Sequence, residues 1–248
     1  MQRYFVDSSN WTQSCVFINN EDVHHIVNVM RMNVGDQLIV VHAVKGDAVC
    51  TITSIDKSCV EMEISDWVPK NNELPVEVTI VQSLGKGDKM EQVVQKGTEL
   101  GASFFIPFQA ARSVTKWDSK KTDKKISRLK KIAKEASEQS ERTRIPSVQS
   151  VIKLNDLIGL NEYDHKLIAY EKEARREYSS TLHRSLATVN PGDSVIIVFG
   201  PEGGFSEQEG AALIEKGFCS VRLGPRILRM ETAPLYFLSA LSYQLEEA

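Results

Sequence analysis

Residues Ser194–Tyr236 read SVIIVFGPEGGFSEQEGAALIEKGFCSVRLGPRILRMETAPLY, and this stretch decides the fold. Val195 to Phe199 is a continuous apolar run rich in β-branched residues, the pattern of a strand buried on both faces. Gly200, Gly203 and Gly204, set around Pro201 and Glu202, follow as a loop that can take backbone angles closed to other residues and approach a ligand. Ser206 and Glu209 have capping-box spacing and open a helix, and Gly217 sits where a helix closes. A second strand, Cys219 to Leu223, breaks into a second loop, Gly224-Pro225-Arg226, before a last helix from about Thr232. Two strand-to-loop transitions therefore fall within about one βαβ unit, and ligands of open α/β sheets bind at the carboxyl ends of strands.

Working outward, the same alternation of strand and helix begins at residue 76. Val76 to Val81 alternates apolar residues with Glu77 and Thr79 and leads through Leu84-Gly85-Lys86-Gly87-Asp88 into a helix over about Lys89 to Leu100. Met90, Val93, Val94 and Gly97 form its apolar stripe. Gly85-Lys86-Gly87 lacks both the spacing and the Lys-Ser/Thr pair of a P-loop. Phe104 to Phe108 is the next strand, a basic helix covers about Ser119 to Ser140, and His165 to Tyr170 is a strand ending in Glu171. A helix over about Arg175 to Thr188 and the turn Asn190-Pro191-Gly192-Asp193 complete the path. This alternation predicts an α/β domain with a mainly parallel sheet.

Residues 1 to about 70 form a small β-rich module. Cys59 to Ile64 alternates apolar and acidic side chains, the period of a strand with one wet face. Asp36–His42, Lys45-Gly46-Asp47 and Ala48–Ile55 read as a hairpin around a glycine turn. Val23, Ile26, Val27 and Met30 mark a short helix between Glu21 and Arg31. Asp66 to Pro75, polar and bounded by prolines, reads as an interdomain linker.

With 248 residues the chain can bury an ample core. No run of about 18 apolar residues is present, so no transmembrane helix is expected. The N-terminus has no apolar signal core, which predicts a cytoplasmic protein. The four cysteines lack CxxC spacing and the five histidines lack an HExxH pattern, so no metal is expected. Between Arg112 and Arg144, twelve Lys and Arg stand against five Asp and Glu, on a chain whose net charge is −3. Such a segment fits either a polyanion footprint or a solvated helix face.

GPEGGFSEQE at 200–209, followed by LGPRILRMETA at 223–233, resembles the signature of the 16S ribosomal RNA uridine-N3 methyltransferase family, within the SPOUT class of S-adenosylmethionine-dependent RNA methyltransferases. Lys96, Glu99-Leu100-Gly101, Pro107, Arg112-Ser113, Glu138-Gln139 and Arg142 match further family positions. His24-His25, Arg31 and Gly35-Asp36 resemble the family's N-terminal PUA-like barrel. Met230 stands where a threonine is commoner. The resemblance implies a PUA-like RNA-binding β-barrel over 1–70 and a SPOUT methyltransferase domain over 73–248, with a parallel sheet and a C-terminal trefoil knot. It also implies a homodimer acting on 16S ribosomal RNA within the small ribosomal subunit. On this resemblance the donor pocket takes Tyr170, Glu171, Phe199, Gly200, Pro201, Gly203, Gly204, Leu223, Gly224, Ile227, Leu228, Met230 and Thr232. RNA contacts are implied for Arg3, His25, Arg31, Lys86, Lys96, Arg112 and Arg142. For Arg3, His25 and Arg31 a structural ion pair is the other reading, and for Arg142 an i, i+4 pair with Glu138.

The loops themselves leave three readings: plain turns, a phosphate site, or a donor site. Backbone N–H groups at a helix N-terminus favour anions, but a carboxylate at the apex, Glu202, repels a polyphosphate. A sulfonium donor carries positive charge and meets no such conflict, which favours S-adenosylmethionine as cofactor. Methylation at uridine N3 requires loss of a weakly acidic proton. Arg229 is the candidate to stabilise the resulting anion, and Glu202 or Glu231 the candidate proton acceptor. Glu231 is equally placed to be a carboxylate at a helix N-terminus. The target base must be unpaired or flipped. Methylation of a ribose 2′-hydroxyl and a noncatalytic RNA-binding assembly factor are the rival functions.

Overall fold

The computed structural model describes residues 1–19, 21–42, 44–69, 71–170 and 182–248. The chain divides into two compact units, one of Met1–Glu73 with Ser137–Arg144, the other of Leu74–Ala136 with Ile145–Ala248.

The first unit is built on a five-stranded sheet of order β1-β3-β4-β5-β2. Its strands are β1 (Arg3–Phe5), β2 (Cys15–Ile18), β3 (Gln37–His42), β4 (Gly46–Ile55) and β5 (Val60–Val68). β3 and β4 form the expected hairpin, with Gly46 at φ +88°, where a side chain would be strained. β4 shifts register against β5 between Val49 and Cys50 and between Ile52 and Ser54, the irregularity that strengthens twist in a curled sheet. The alternation in β5 buries Val60 and Met62 against Tyr4, Val16, Ile18, Leu38 and Ile52. Two expectations change here. β5 runs through Asp66-Trp67 to Val68, so the first residues of the expected linker are strand. The single helix read over 21–31 is a short α1 (Glu21–His24) followed by one π-turn (His25–Val29). The wider turn carries Met30 off the buried stripe to 37% exposure.

The second unit holds a six-stranded sheet of order β11-β9-β10-β6-β7-β8, and every pairing in it is parallel. In chain order it comprises β6 (Glu77–Ser83), α2 (Lys89–Glu99), β7 (Phe104–Phe108), α3 (Ser119–Gln139, of which the residues from Ser137 onward belong to the first unit), β8 (Ser147–Val148), α4 (Leu154–Leu157) and β9 (His165–Ala169). There follow α5 (Leu182–Leu186), β10 (Ser194–Phe199), α6 (Glu207–Glu215), β11 (Cys219–Val221) and α7 (Ala233–Ser242). The apolar run in β10 is buried on both faces: Val195, Ile197 and Phe199 join one core with α2 and α7, and Ile196 and Val198 join the other. α2 lies close on the sheet at Gly97, where a Cβ would stand 2.9 Å from the Phe105 ring. Strand order runs outward from β6 through β7 to β8 and, in the other direction, through β10 and β9 to β11. Such a reversal is where open α/β sheets place their ligands. The two-residue β8 and the one-turn α4 were not read from the sequence. The expected helix over 175–188 is described only from Leu182, its earlier part lying outside the described residues. No described helix is long and apolar enough to cross a membrane.

Candidate active site

Ala169, Phe199 and Val221, the last residues of β9, β10 and β11, all open onto one cavity of about 390 Å³. That volume lies in the range of about 300–1,000 Å³ usual for small-molecule sites. The two glycine loops form its walls.

The first loop, Gly200 to Phe205, is fixed from several sides. The Gly204 N–H donates to Pro201 O at 2.8 Å, with Gly204 at φ +67°. Ser83 Oγ donates to Phe199 O at 2.7 Å, just before the loop. Its end is a complete capping box: the Glu209 N–H donates to Ser206 Oγ (3.2 Å) and the Ser206 N–H to Glu209 Oε2 (2.9 Å). Glu209 is 3% exposed, and its other oxygen accepts the Ala111 N–H at 2.7 Å. Arg112 Nη1 donates to the carbonyls of Gly203 and Phe205, both at 3.2 Å. One carboxylate and one guanidinium thus bolt this loop to the segment after β7.

The second loop runs from Leu223 to Met230. Arg222 Nε donates to Gly224 O at 3.0 Å, and Gly224 has φ +75°. Met230, 6% exposed, rests its thioether against Gly85, where a Cβ would meet Met230 Sδ at 2.6 Å. Arg226, Ile227 and Arg229 are exposed on the cavity wall, Ile227 at 64%.

Of the expected pocket residues, Tyr170, Phe199, Gly200, Pro201, Gly204, Leu223, Gly224, Ile227, Leu228 and Met230 line the cavity. Gly203 and Thr232 do not; Gly203 supplies a carbonyl to Arg112, and Thr232 precedes α7. Glu171 lies outside the described residues. Of the three residues given chemical roles, Arg229 and Glu202 line the cavity and Glu231 does not. The sequence reading missed Lys89 altogether. Lys89 lines the cavity, and its Nζ lies 2.9 Å from Glu202 Oε1 and 3.7 Å from Glu231 Oε2. Its clue was position: a lysine at the first residue of a helix opposes the helix dipole. The hydrogen bond to Glu202 pushes the Lys89 ammonium up. Burial pushes the Glu202 carboxyl up in turn, but the Lys89 hydrogen bond and the Lys86 N–H outweigh it and hold the group below the usual glutamate value. A carboxylate so stabilised is a weak proton acceptor. Arg222 and Arg226 add cations to the wall.

The residues implied for RNA divide sharply. Arg3 and Arg142 require correction: at 5% and 1% exposure they are buried and cannot reach a phosphate. Arg3 Nη1 pairs with Asp47 Oδ2 at 2.6 Å, and Arg142 Nε donates to Glu73 Oε2 at 3.1 Å. His25 Nδ1 lies 2.8 Å from Tyr4 Oη, which gives it a structural partner. Arg31, at φ +55°, and Lys86, Lys96 and Arg112 are exposed.

The sequence and the fold have counterparts. The RNA methyltransferase domain family matches residues 72–242, and the RNA methyltransferase PUA domain family matches residues 18–64. Ribosomal RNA small subunit methyltransferase E of Bacillus subtilis is 48% identical over 99% of this chain and 98% of its own length. A crystal structure of a hypothetical protein is 46% identical and superposes with a TM-score of 0.91, covering 99% of each chain. The ribosomal RNA small subunit methyltransferase E of Neisseria gonorrhoeae, solved bound to S-adenosylmethionine, is 29% identical with a TM-score of 0.83, covering 98% of this chain and 97% of that one.

Proposed function

The chain belongs to the ribosomal RNA small subunit methyltransferase E family, and from that premise we propose that it methylates N3 of a uridine in 16S ribosomal RNA with S-adenosylmethionine as donor. The observation that carries the reading is the cavity between two glycine loops at the carboxyl ends of β9, β10 and β11, with Arg229 on its wall. The residues present suit the donor. The volume is adequate, Gly200 and Gly204 offer bare backbone, and Glu202 supplies a negative charge on the same wall. When bound, S-adenosylmethionine supplies an electrophilic methyl group on a sulfonium.

The protein's own contribution is orientation and charge. The first loop, bolted by Glu209 and Arg112, is a rigid face against which a bound molecule takes a fixed pose, and alignment of reacting atoms accounts for much of such an acceleration. Arg229 places its guanidinium where negative charge spreads over the uracil oxygens once N3 loses its proton. In this reading Glu202, paired with Lys89, serves as a fixed negative charge, and the uracil proton leaves to solvent. Exposed Arg31, Lys86, Lys96 and Arg112 are the phosphate contacts, so binding weakens as salt rises.

The remaining family properties belong to the same proposal: a C-terminal trefoil knot, a cytoplasmic location, and a homodimer with the site completed near the interface. Ile227 and Tyr236, 64% and 39% exposed, are apolar surface that a second copy would cover. To test the function, free 16S ribosomal RNA and small subunits are incubated with the protein and methyl-labelled donor, and the nucleosides are analysed by mass spectrometry. Label on N3 of uridine is expected. Label on ribose indicates 2′-O transfer, and absence of label on both substrates contradicts the enzymatic reading.

A further inference from the structure

Lys89 sits in an electrostatically poor place. It is the first residue of α2, whose N-cap Asp88 makes no side-chain cap bond, and a cation there faces the positive end of the helix dipole. Its stabilisation comes from elsewhere in the chain. Glu202 belongs to the loop after β10 and Glu231 to the turn before α7, and both carboxylates meet the same ammonium. The side chains of Lys89, Glu202 and Glu231 are 27%, 33% and 16% exposed, so the cluster is neither a loose surface pair nor a sealed one.

The hydrogen bonds have a direction. Lys89 Nζ and the Lys86 N–H both donate to Glu202 Oε1, at 2.9 and 3.5 Å. Both bonds converge on the one oxygen of a residue that lines the cavity. Glu231 Oε2 is buried and stands 3.7 Å from Lys89 Nζ, a longer contact than that of Glu202. Lys89 thereby joins one loop to the base of the other while fixing the orientation of a single carboxylate.

We propose that Lys89 is a positioning residue that pins Glu202 as a fixed anion on the donor cavity, where the carboxylate counters a sulfonium charge instead of accepting the uracil proton. The inference rests on the donor reading above and deepens it. Its consequence is a charge preference built into the site. A methyl donor with a sulfonium binds better than its product, S-adenosylhomocysteine, which has the same outline and a neutral sulfur. Glu202 is one source of that difference, and Lys89 acts through it.

The two roles open to Glu202 leave opposite signatures. A fixed counter-charge affects donor binding more than turnover, whereas a proton acceptor affects turnover and leaves donor binding alone. The test is calorimetric titration of wild type, Glu202→Gln, Lys89→Met and Lys89→Arg with S-adenosylmethionine and separately with S-adenosylhomocysteine. Thermal midpoints measured without ligand confirm that each variant is folded. Glu202→Gln is expected to lower the ratio of the two affinities about tenfold, the scale of a hydrogen bond or contact to a charged group, while S-adenosylhomocysteine affinity stays within about threefold. Lys89→Met is expected to lower the ratio in the same direction, and Lys89→Arg to restore most of it. An unchanged ratio in Glu202→Gln overturns the proposal, and loss of methyl transfer in the same variant would then point to the proton acceptor. A raised or unchanged ratio in Lys89→Met overturns the pinning role. Absence of binding by either ligand to the wild type overturns the donor reading and this inference with it.

Discussion

Two ion clusters, one in each unit, share a central charge in opposite senses and serve different ends. In the first unit one carboxylate, Glu73, is shared by Arg142 and Arg144. Its oxygens also accept the backbone N–H groups of Thr143 and Arg144, at 2.8 and 3.2 Å. The side chains of Arg142 and Glu73 are 2% and 4% exposed. In the second unit one ammonium, Lys89, is shared by Glu202 and Glu231 on partly open ground beside the cavity. The sealed cluster has its shared carboxylate ringed by donors and nothing left to offer a ligand. The open one leaves Glu202 a third exposed on the cavity wall. Opposite charges in contact therefore mark stability where they are closed and chemistry where they are left incomplete.

The largest effect is expected from breaking the closed cluster. Glu73→Ala removes the Glu73 carboxylate from the buried Arg142 and should cost about 3–5 kcal/mol in denaturant unfolding at neutral pH. The cost has a pH signature. Burial pushes the Glu73 carboxyl up, but the Arg142 hydrogen bond and charge outweigh this and hold it below the usual value. The unfolded group binds its proton more readily, so the contribution is complete above the ordinary glutamate range and is lost as pH falls through the folded value. Stability of wild type and Glu73→Ala should therefore converge as the solution is acidified from neutral, and a gap that stays constant would exclude the ion pair as its source.

On the open side the expected loss is in turnover. Arg229→Ala removes the guanidinium from the wall and should lower single-turnover methyl transfer about 10²–10³-fold, with donor affinity within about tenfold. Unchanged transfer would remove Arg229 from the mechanism. A smaller effect sharpens the contrast between the bolted loop and its neighbour. Glu209→Ala deletes the capping partner of α6 and orphans the Ala111 N–H, which should cost about 1–2 kcal/mol and weaken donor binding measured by calorimetry. Smallest is Gly85→Ala. The new Cβ falls 2.6 Å from Met230 Sδ, a flexible group that can yield toward the cavity. Donor affinity should fall about fivefold, matching the low end of overpacking costs of about 1 kcal/mol, and Met230→Thr in the same chain should relieve it.

What the sequence disclosed follows from how local each signal is. The buried strand β10, the Ser206–Glu209 capping box, the glycine at 217 and the β3–β4 hairpin are all set by residues within a few positions of each other, and each appears in the structure. Burial of arginines is not local. Arg3 and its partner Asp47 are 44 residues apart, and Arg142 and Glu73 are 69 apart. A guanidinium in a basic stretch looks the same in sequence whether it faces a phosphate or a buried carboxylate. Lys89 escaped for the same reason, since Glu202 lies 113 residues away. The π-turn at His25–Val29 was hidden because Val23, Ile26, Val27 and Met30 also fit an ordinary helical period. The departure at Met230 becomes intelligible only beside Gly85, whose missing side chain makes room for the thioether.

The account turns on which space the methyl donor occupies. A crystal structure of this chain grown with S-adenosylmethionine measures that directly. Density bounded by Gly200–Phe205 on one side and Leu223–Met230 on the other, with Glu202 nearer the sulfur than any other carboxylate, is the predicted result. Density in another part of the molecule, or loops closed on each other with the donor excluded at saturating concentration, would contradict it.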